Sequence, residues 1–204
     1  MRDTPPTPRD VLTFWFGDTD DEAKCIDQNR GRWFGGGDAV NDAIRARFAG
    51  AVQQALDGGL TDWQATPEGN LAYVLLLDQF TRNLNGGSPA YFAGDEKALA
   101  AALAGLDRGD AAQLGRPQVA FLLMPLMHAE DRGLQTRCVA AFEALTASAE
   151  GPLKAHCENF TQYARGHRDI VKRFGRFPHR NALLGRETTP EEAEFLTQPG
   201  SSYF

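Results

Sequence analysis

Cysteine is scarce in this chain: Cys25, Cys138 and Cys157 are odd in number, widely spaced and form no C-x-x-C pair. That set argues against a disulfide framework and for reduced thiols in a reducing compartment. Long apolar runs are also missing. The most apolar stretches, 71–77 and 119–127, fall far short of the ~20 residues a spanning helix needs, and the second contains Pro125. Both read as buried core, so no membrane association is expected. The first seventeen residues have no apolar segment followed by small residues, so no secretory signal is expected and the cytoplasm is the expected location.

The familiar phosphate and nucleophile motifs are absent as well. There is no G-x-x-x-x-G-K-S/T loop, no G-x-G-x-x-G after a strand and no G-x-S-x-G elbow. Nucleotide binding and serine-hydrolase chemistry therefore lack their physical parts, and no cofactor is expected. His128, Glu130 and His179 are donors a metal accepts, but their spacing matches no standard framework, and no metal is expected either. Gly35-Gly36-Gly37 reads only as a flexible turn.

What is present is an ordinary globular composition, 42% hydrophobic and 24% charged, over 204 residues. A chain of that length buries roughly 70% of its unfolded surface if it folds as one unit. No proline- or serine-rich linker divides it, so one domain over 1–204 is expected. The net charge of -6 argues against a nucleic-acid partner, because such binding comes mainly from neutralising phosphates. The charge is uneven, however. From Arg165 to Arg186 seven basic residues face the single acid Asp169.

Helix punctuation is clear. Thr7-Pro8, Thr66-Pro67, Ser88-Pro89 and Thr189-Pro190 each set a capping hydroxyl before a proline, which costs nothing at the first helical position. Glu192 completes a capping box with Thr189. Gly17, Gly58-Gly59, Gly86-Gly87, Gly109 and Gly175 follow apolar periodic runs, as C-terminal caps do. Between these marks the spacing is helical, as in Val40, Ile44, Phe48, Val52 and Leu56. Helices are predicted at 8–16, 20–34, 38–57, 67–84, 95–108, 117–129, 131–148, 152–174 and 190–196, with no strand. The predicted fold is all-α, a compact antiparallel bundle. A tetratricopeptide period of ~34 residues has no repeated consensus here.

Three segments put polar groups where the pattern predicts interior. In Leu71 to Leu84 an apolar helix ends in Asp78, Gln79, Arg82 and Asn83, with Asp78 and Arg82 four apart on one inward face. This suits either a ligand site or a buried ion pair that orients the helix. In Phe121 to Asp131, Pro125 is expected to kink the helix and free the carbonyl of Phe121. An imidazole can hold or pass a proton, which makes His128, beside Glu130 and Asp131, the candidate for acid–base chemistry. The alternative is a core histidine donating to a helix-end carbonyl.

The third segment is the basic run. His167 falls on the inward stripe of its helix, and Phe177-Pro178 forces an extended residue that would fix Arg176, His179, Arg180 and Asn181 in a loop. Arginine forks there suit a carboxylate or phosphate, or they neutralise Asp78, Glu130 and Asp131 and lock the helices together. The aromatic residues Phe14, Trp15, Phe16, Trp33, Phe34 and Trp63 anchor the first helices to the core, and a small ligand against Trp15 or Trp33 remains open.

Taken together, VLTFWFG, Trp33-Phe34, LLLDQFTRN, MPLMHAED and HRDIVKRFGRFPHRNALLGR followed by TPEEAEFL resemble the bacterial domain-of-unknown-function 924 family in motif and order over nearly the whole chain. The resemblance implies an all-helical, tetratricopeptide-like arrangement and supplies no activity. The family usually has proline where this chain has Thr81, and commonly a basic residue where Asn85-Gly86-Gly87 stand. If relatives use that basic group for a ligand, weaker binding is implied here.

Two functions are therefore expected to compete. In the first, Asp78, Arg82, Asn83, His128, Glu130, His167, Arg176, His179, Arg180 and Asn181 form a polar cleft for a small anionic ligand. In an enzyme version, His128 would act as acid or base with Asp78 or Glu130 orienting it. In the second, those groups are structural and a protein partner lies between helix pairs. Whether the protein is an enzyme stays open.

Overall fold

The computed structural model describes residues 5–35 and 37–201. Gly36, within the glycine turn read from the sequence, lies outside the described residues. Helix α1 (Pro8–Phe16) starts at Thr7, whose hydroxyl accepts from the N–H of Asp10 while Asp10 answers the N–H of Thr7. Helices α2 (Glu22–Gly35) and α3 (Gly37–Leu56) come next, then a 3₁₀ turn at Thr61–Ala65 that no periodicity announces. Thr66 caps α4 (Pro67–Leu75), a π turn (Leu76–Phe80) continues it without a break, and α5 (Thr81–Leu84) completes the long helix predicted at 67–84.

Ser88-Pro89 departs from expectation. It opens only a 3₁₀ turn, Pro89–Phe92, and the serine hydroxyl donates back to the carbonyl of Asn85 instead of capping. The remaining helices are α6 (Asp95–Arg108), α7 (Arg116–His128), α8 (Arg132–Ala147), α9 (Gly151–Phe174) and α10 (Pro190–Leu196). Short 3₁₀ turns lie at Asp110–Gln113 and Pro178–Arg180. The fold is all-α, and among the described residues there is no strand.

Helix α4 is the centre, packed by α1, α6 and α7, and every residue from Leu71 to Leu77 is buried. Trp15 is fully buried between Phe80 and Phe121, and the indole N–H of Trp33 donates to the carbonyl of Trp15 at 2.8 Å. Each such apolar side chain contributes on the order of 2 kcal/mol by leaving water. With no exposed surface and no place in a cleft lining, Trp15 is a core residue. Helices α8 and α9 form a hairpin joined by three residues, with Thr161 of α9 donating to the carbonyl of Phe142 in α8.

Two local features place the functional groups. The first is the π turn. Its wider winding sends the N–H of Thr81 to the carbonyl of Leu76, five residues back, and the Thr81 hydroxyl donates to the same oxygen at 3.0 Å. One extra residue in the turn rotates the rest of the helix, so Asp78 and Gln79 face α7 while Arg82 faces α6. Gly94 allows α6 to begin there: a Cβ at this position would stand 2.1 Å from the Leu77 carbonyl oxygen. The second is the end of α7, which stays helical through Pro125 as far as His128. Its last carbonyls are met by Gln135, whose amide donates to Met127 at 2.6 Å and to Ala129 at 2.8 Å.

Candidate functional site

Where α2, the π turn, α7 and α9 meet the Pro89–Phe92 and Pro178–Arg180 turns, they enclose a cleft of about 800 Å³. That size suits a small molecule. Arg82, Asn83, His128, His167, His179 and Arg180 all line it, so residues from the three polar segments do come together.

At the floor, Asp78 is 1% exposed and its Oδ1 lies 2.7 Å from Nδ1 of His128. The amide of Gln79 donates to Asp78 Oδ2 at 2.6 Å and approaches Met124 Sδ at 3.4 Å. Arg82 lies 3.2 Å from Asp78 Oδ1, donates to the Asp78 carbonyl at 2.9 Å and pairs with Asp95 at 2.8 Å. Burial raises a carboxyl pKa, but Arg82, His128 and these hydrogen bonds outweigh it and hold Asp78 well below the usual carboxylate range. Burial likewise opposes charge on Arg82, and Asp78 and Asp95 reverse that effect, so its pKa is raised. Because a carboxylate accepts at Nδ1, the neutral His128 imidazole carries its proton there and keeps its lone pair on Nε2. His128 is thus bonded to a carboxylate and not to a helix-end carbonyl.

His167 differs. Its Nδ1 lies 2.8 Å from the carbonyl of Tyr163, one turn back on α9, and its ring centre is 6.2 Å from that of His128. Burial, with the nearby His128, pushes its pKa down to about 3, so it stays neutral at pH 7. Burial and the charge of Arg180 push His179 to about 4.

Arg180 is 8% exposed and sandwiched, its guanidinium 4.8 Å from the ring centre of Phe92 and 4.6 Å from that of Phe177. Its nearest carboxylate, Asp95, is 3.5 Å away, and Arg82 sits 5.1 Å over Tyr91. Burial lowers the pKa of Arg180. One N–H of each guanidinium, Nη2 of Arg82 and Nε of Arg180, is buried without an acceptor. A buried donor left so costs roughly 1–3 kcal/mol, which a ligand oxygen can relieve.

Three residues expected here lie elsewhere. Glu130 accepts two bonds from Arg186, at 2.6 and 2.9 Å, and one from the Phe177 N–H at 2.7 Å. It pins the turn that carries Arg180. Arg176 turns to α10, with a two-pronged pair to Glu192 at 2.7 and 2.8 Å. Asn181 is fully buried, donating to Glu192 and accepting from Arg186 at 3.0 Å. A turn separates Arg176 from Arg180, and they leave on different sides of it. Other basic side chains of the run pair with Glu143, Asp169 and Glu191. Of these, the Arg165 and Arg173 pairs join α9 to α8 and α10, whereas Arg168 meets only its neighbour on α9. Asp131, expected to be neutralised, caps α8 by accepting from the Leu134 N–H.

Sequence reasoning missed Asp95, Tyr91 and Phe92. Asp95 reads as an ordinary first-turn acid, and Tyr91 and Phe92 fall in a short turn with no period to mark them. The three cysteines are buried, and burial raises the thiol pKa of Cys25 to about 11 and of Cys138 to about 12. Among the described residues no group of three or more His, Cys, Asp or Glu is arranged to hold a metal, and no helix is long and apolar enough to cross a membrane.

An all-helical protein with a carboxylate-backed imidazole and two arginines around one cleft is the class this geometry defines. Residues 11–200 match the family described as bacterial protein of unknown function (DUF924), and the chain belongs to that family. It is also similar to a solved protein of unknown function from Agrobacterium tumefaciens, at 34% identity and a TM-score of 0.78, over 93% of this chain and 96% of that one. No curated protein matches.

Proposed function

We propose that the protein binds a small anionic ligand in this cleft, with Arg82 and Arg180 holding the anion and His128, oriented by Asp78, as the group able to move a proton. The observation that carries this reading is the convergence on one cleft of an Asp78–His128 pair and two arginines that each keep an unsatisfied N–H. A structural ion pair alone has no need of the second arginine, or of a cleft beside it. In an enzyme version His128 Nε2 accepts or returns a substrate proton while Asp78 stabilises the imidazolium. Asn83 shapes the wall through its bond to Asn41 at 2.8 Å. Glu130, Arg176 and Asn181 support the loop that presents Arg180.

Native mass spectrometry of freshly purified protein tests this: a retained small anion is expected, and Arg180→Ala is expected to lose it. An Arg180→Ala variant that binds a metabolite panel as the parent does would overturn the reading.

A second reading is a tetratricopeptide-like interaction module with a purely structural polar network. Its support is the exposure of Phe34 (61%) at the cleft, apolar surface of the kind a partner covers. Pull-down at several salt concentrations separates the two, since only a module retains a specific protein. One apolar cluster running from Val11 to Ala164 supports a single domain, and three free thiols support a reducing, cytoplasmic setting.

A further inference from the structure

The side-chain contacts around the cleft fall into two groups. On one side Arg82 lies over Tyr91, Tyr91 meets Phe92, and Arg180 lies over Phe92, with Asp95 reaching both arginines. On the other side Trp33, Phe34 and Phe160 form a chain of ring contacts at 6.1 and 6.2 Å. Gln79 is bonded to Asp78 and touches Met124, and both Gln79 and Met124 line the cleft. A ligand in the cleft meets a cationic pair, an imidazole and an aromatic wall.

The charges narrow the class. Arg82 and Arg180 face two carboxylates, Asp78 and Asp95, so these four charges cancel before any ligand arrives. A dianion would leave more uncompensated charge in a site partly shielded from water than a monoanion does. Two guanidinium groups with one unsatisfied N–H each match two oxygens of a planar head. The aromatic wall, whose neighbouring rings stand at 82° and 58° to one another, offers both ring faces and ring edges to an aromatic body.

Resting on the reading of this cleft as an anion site, we propose that its ligand class is an amphipathic monocarboxylate with an aromatic body, the carboxylate between Arg82 and Arg180 and the body along Trp33, Phe34 and Met124. His128 then lies beside the carbons that join head to body.

Calorimetric titration of the full chain with 3-phenylpropanoate, propanoate, 3-phenylpropanamide and phenyl phosphate tests the assignment. 3-Phenylpropanoate is expected to bind at least about tenfold more tightly than each of the others. Phe34→Ala, a change at an exposed residue, is expected to weaken 3-phenylpropanoate several-fold and leave propanoate unchanged, whereas Arg180→Gln weakens both. An amide that binds as well as the acid, a phosphate that binds better, or a phenyl group that adds nothing overturns the class. In those cases the anion site itself survives if Arg180→Gln still weakens the anions. If none of the anions binds, the class and the anion site fall together.

Discussion

Oδ1 of Asp78 lies 2.7 Å from Nδ1 of His128, two atoms brought together from positions fifty residues apart. The carboxylate is buried beneath the cleft and the imidazole lines it, so a proton gained or lost at His128 is felt by a fixed negative charge. Arg82 and Gln79 occupy the other faces of Asp78. The carboxylate cannot turn away without losing several charged hydrogen bonds at once.

Neutralising that carboxylate should be costly. Asp78→Asn leaves Arg82 buried against Asp95 alone, and breaking a buried pair by removing one partner costs about 3–5 kcal/mol. Urea denaturation is expected to show a fall of that order, with the mutant also losing anion binding. A loss below about 1 kcal/mol would mean that the pair contributes little to the fold.

Acid should destabilise the protein earlier than its carboxylates alone predict. The unfolded chain protonates its imidazoles near ~6.5, while the folded chain protonates His167 only at about 3 and His179 at about 4. Between those limits the unfolded state binds more protons, so stability falls as pH falls, by about 1.4 kcal/mol per unit for each group. Asp78, Glu130 and Glu192 have depressed folded values, so their contributions are present above ~4 and are lost at lower pH. Melting measured from pH 7 to 4.5 is expected to decline from about pH 6. In His167→Gln the slope should be shallower by about one proton, and an unchanged slope would contradict the burial of a neutral imidazole.

Glu130 should behave as a structural residue. Glu130→Gln removes the charge that holds Arg186 and weakens the tie to the Phe177 N–H, at a cost of about 1–3 kcal/mol. Because Glu130 does not line the cleft, the pH dependence of ligand binding should keep its shape. A shifted pH profile in this variant would assign it a proton-transfer role after all.

Two glycines should respond oppositely to the same methyl group. Gly94→Ala drives a Cβ into the Leu77 carbonyl and must displace α6 or the π turn, costing at least about 2 kcal/mol. Gly50→Ala, in the middle of α3 with nothing within 4 Å of the added carbon, should raise stability by about 0.5–1 kcal/mol. Thermal melts of the two variants side by side decide it.

Helix ends are legible wherever the signal is local. The capping hydroxyl at Thr7, the capping box at Thr189, and the glycine stops at Gly109 and Gly175 appear where the sequence predicts them, since a cap needs only neighbours three or four residues away. Asp78 with Arg82 is legible for the same reason, being one turn apart on one helix. Pro125 reads as a kink inside a helix spanning 117–129, and α7 does continue through it to His128. The π turn has no visible signal, since a single wide turn leaves the apolar periodicity almost unchanged.

By itself, then, the amino-acid order determined the all-helical class, the punctuation of most helices and the three polar segments that interrupt the core. Tertiary structure alone decided which charges distant in the sequence meet. Arg176 and Arg180 are indistinguishable as sequence, yet one is tied to Glu192 and the other is stacked between Phe92 and Phe177 at the cleft. The physical reason is range: capping and periodicity act within a turn or two of helix, whereas an ion pair is set by whichever distant chain the packing of apolar faces brings within reach.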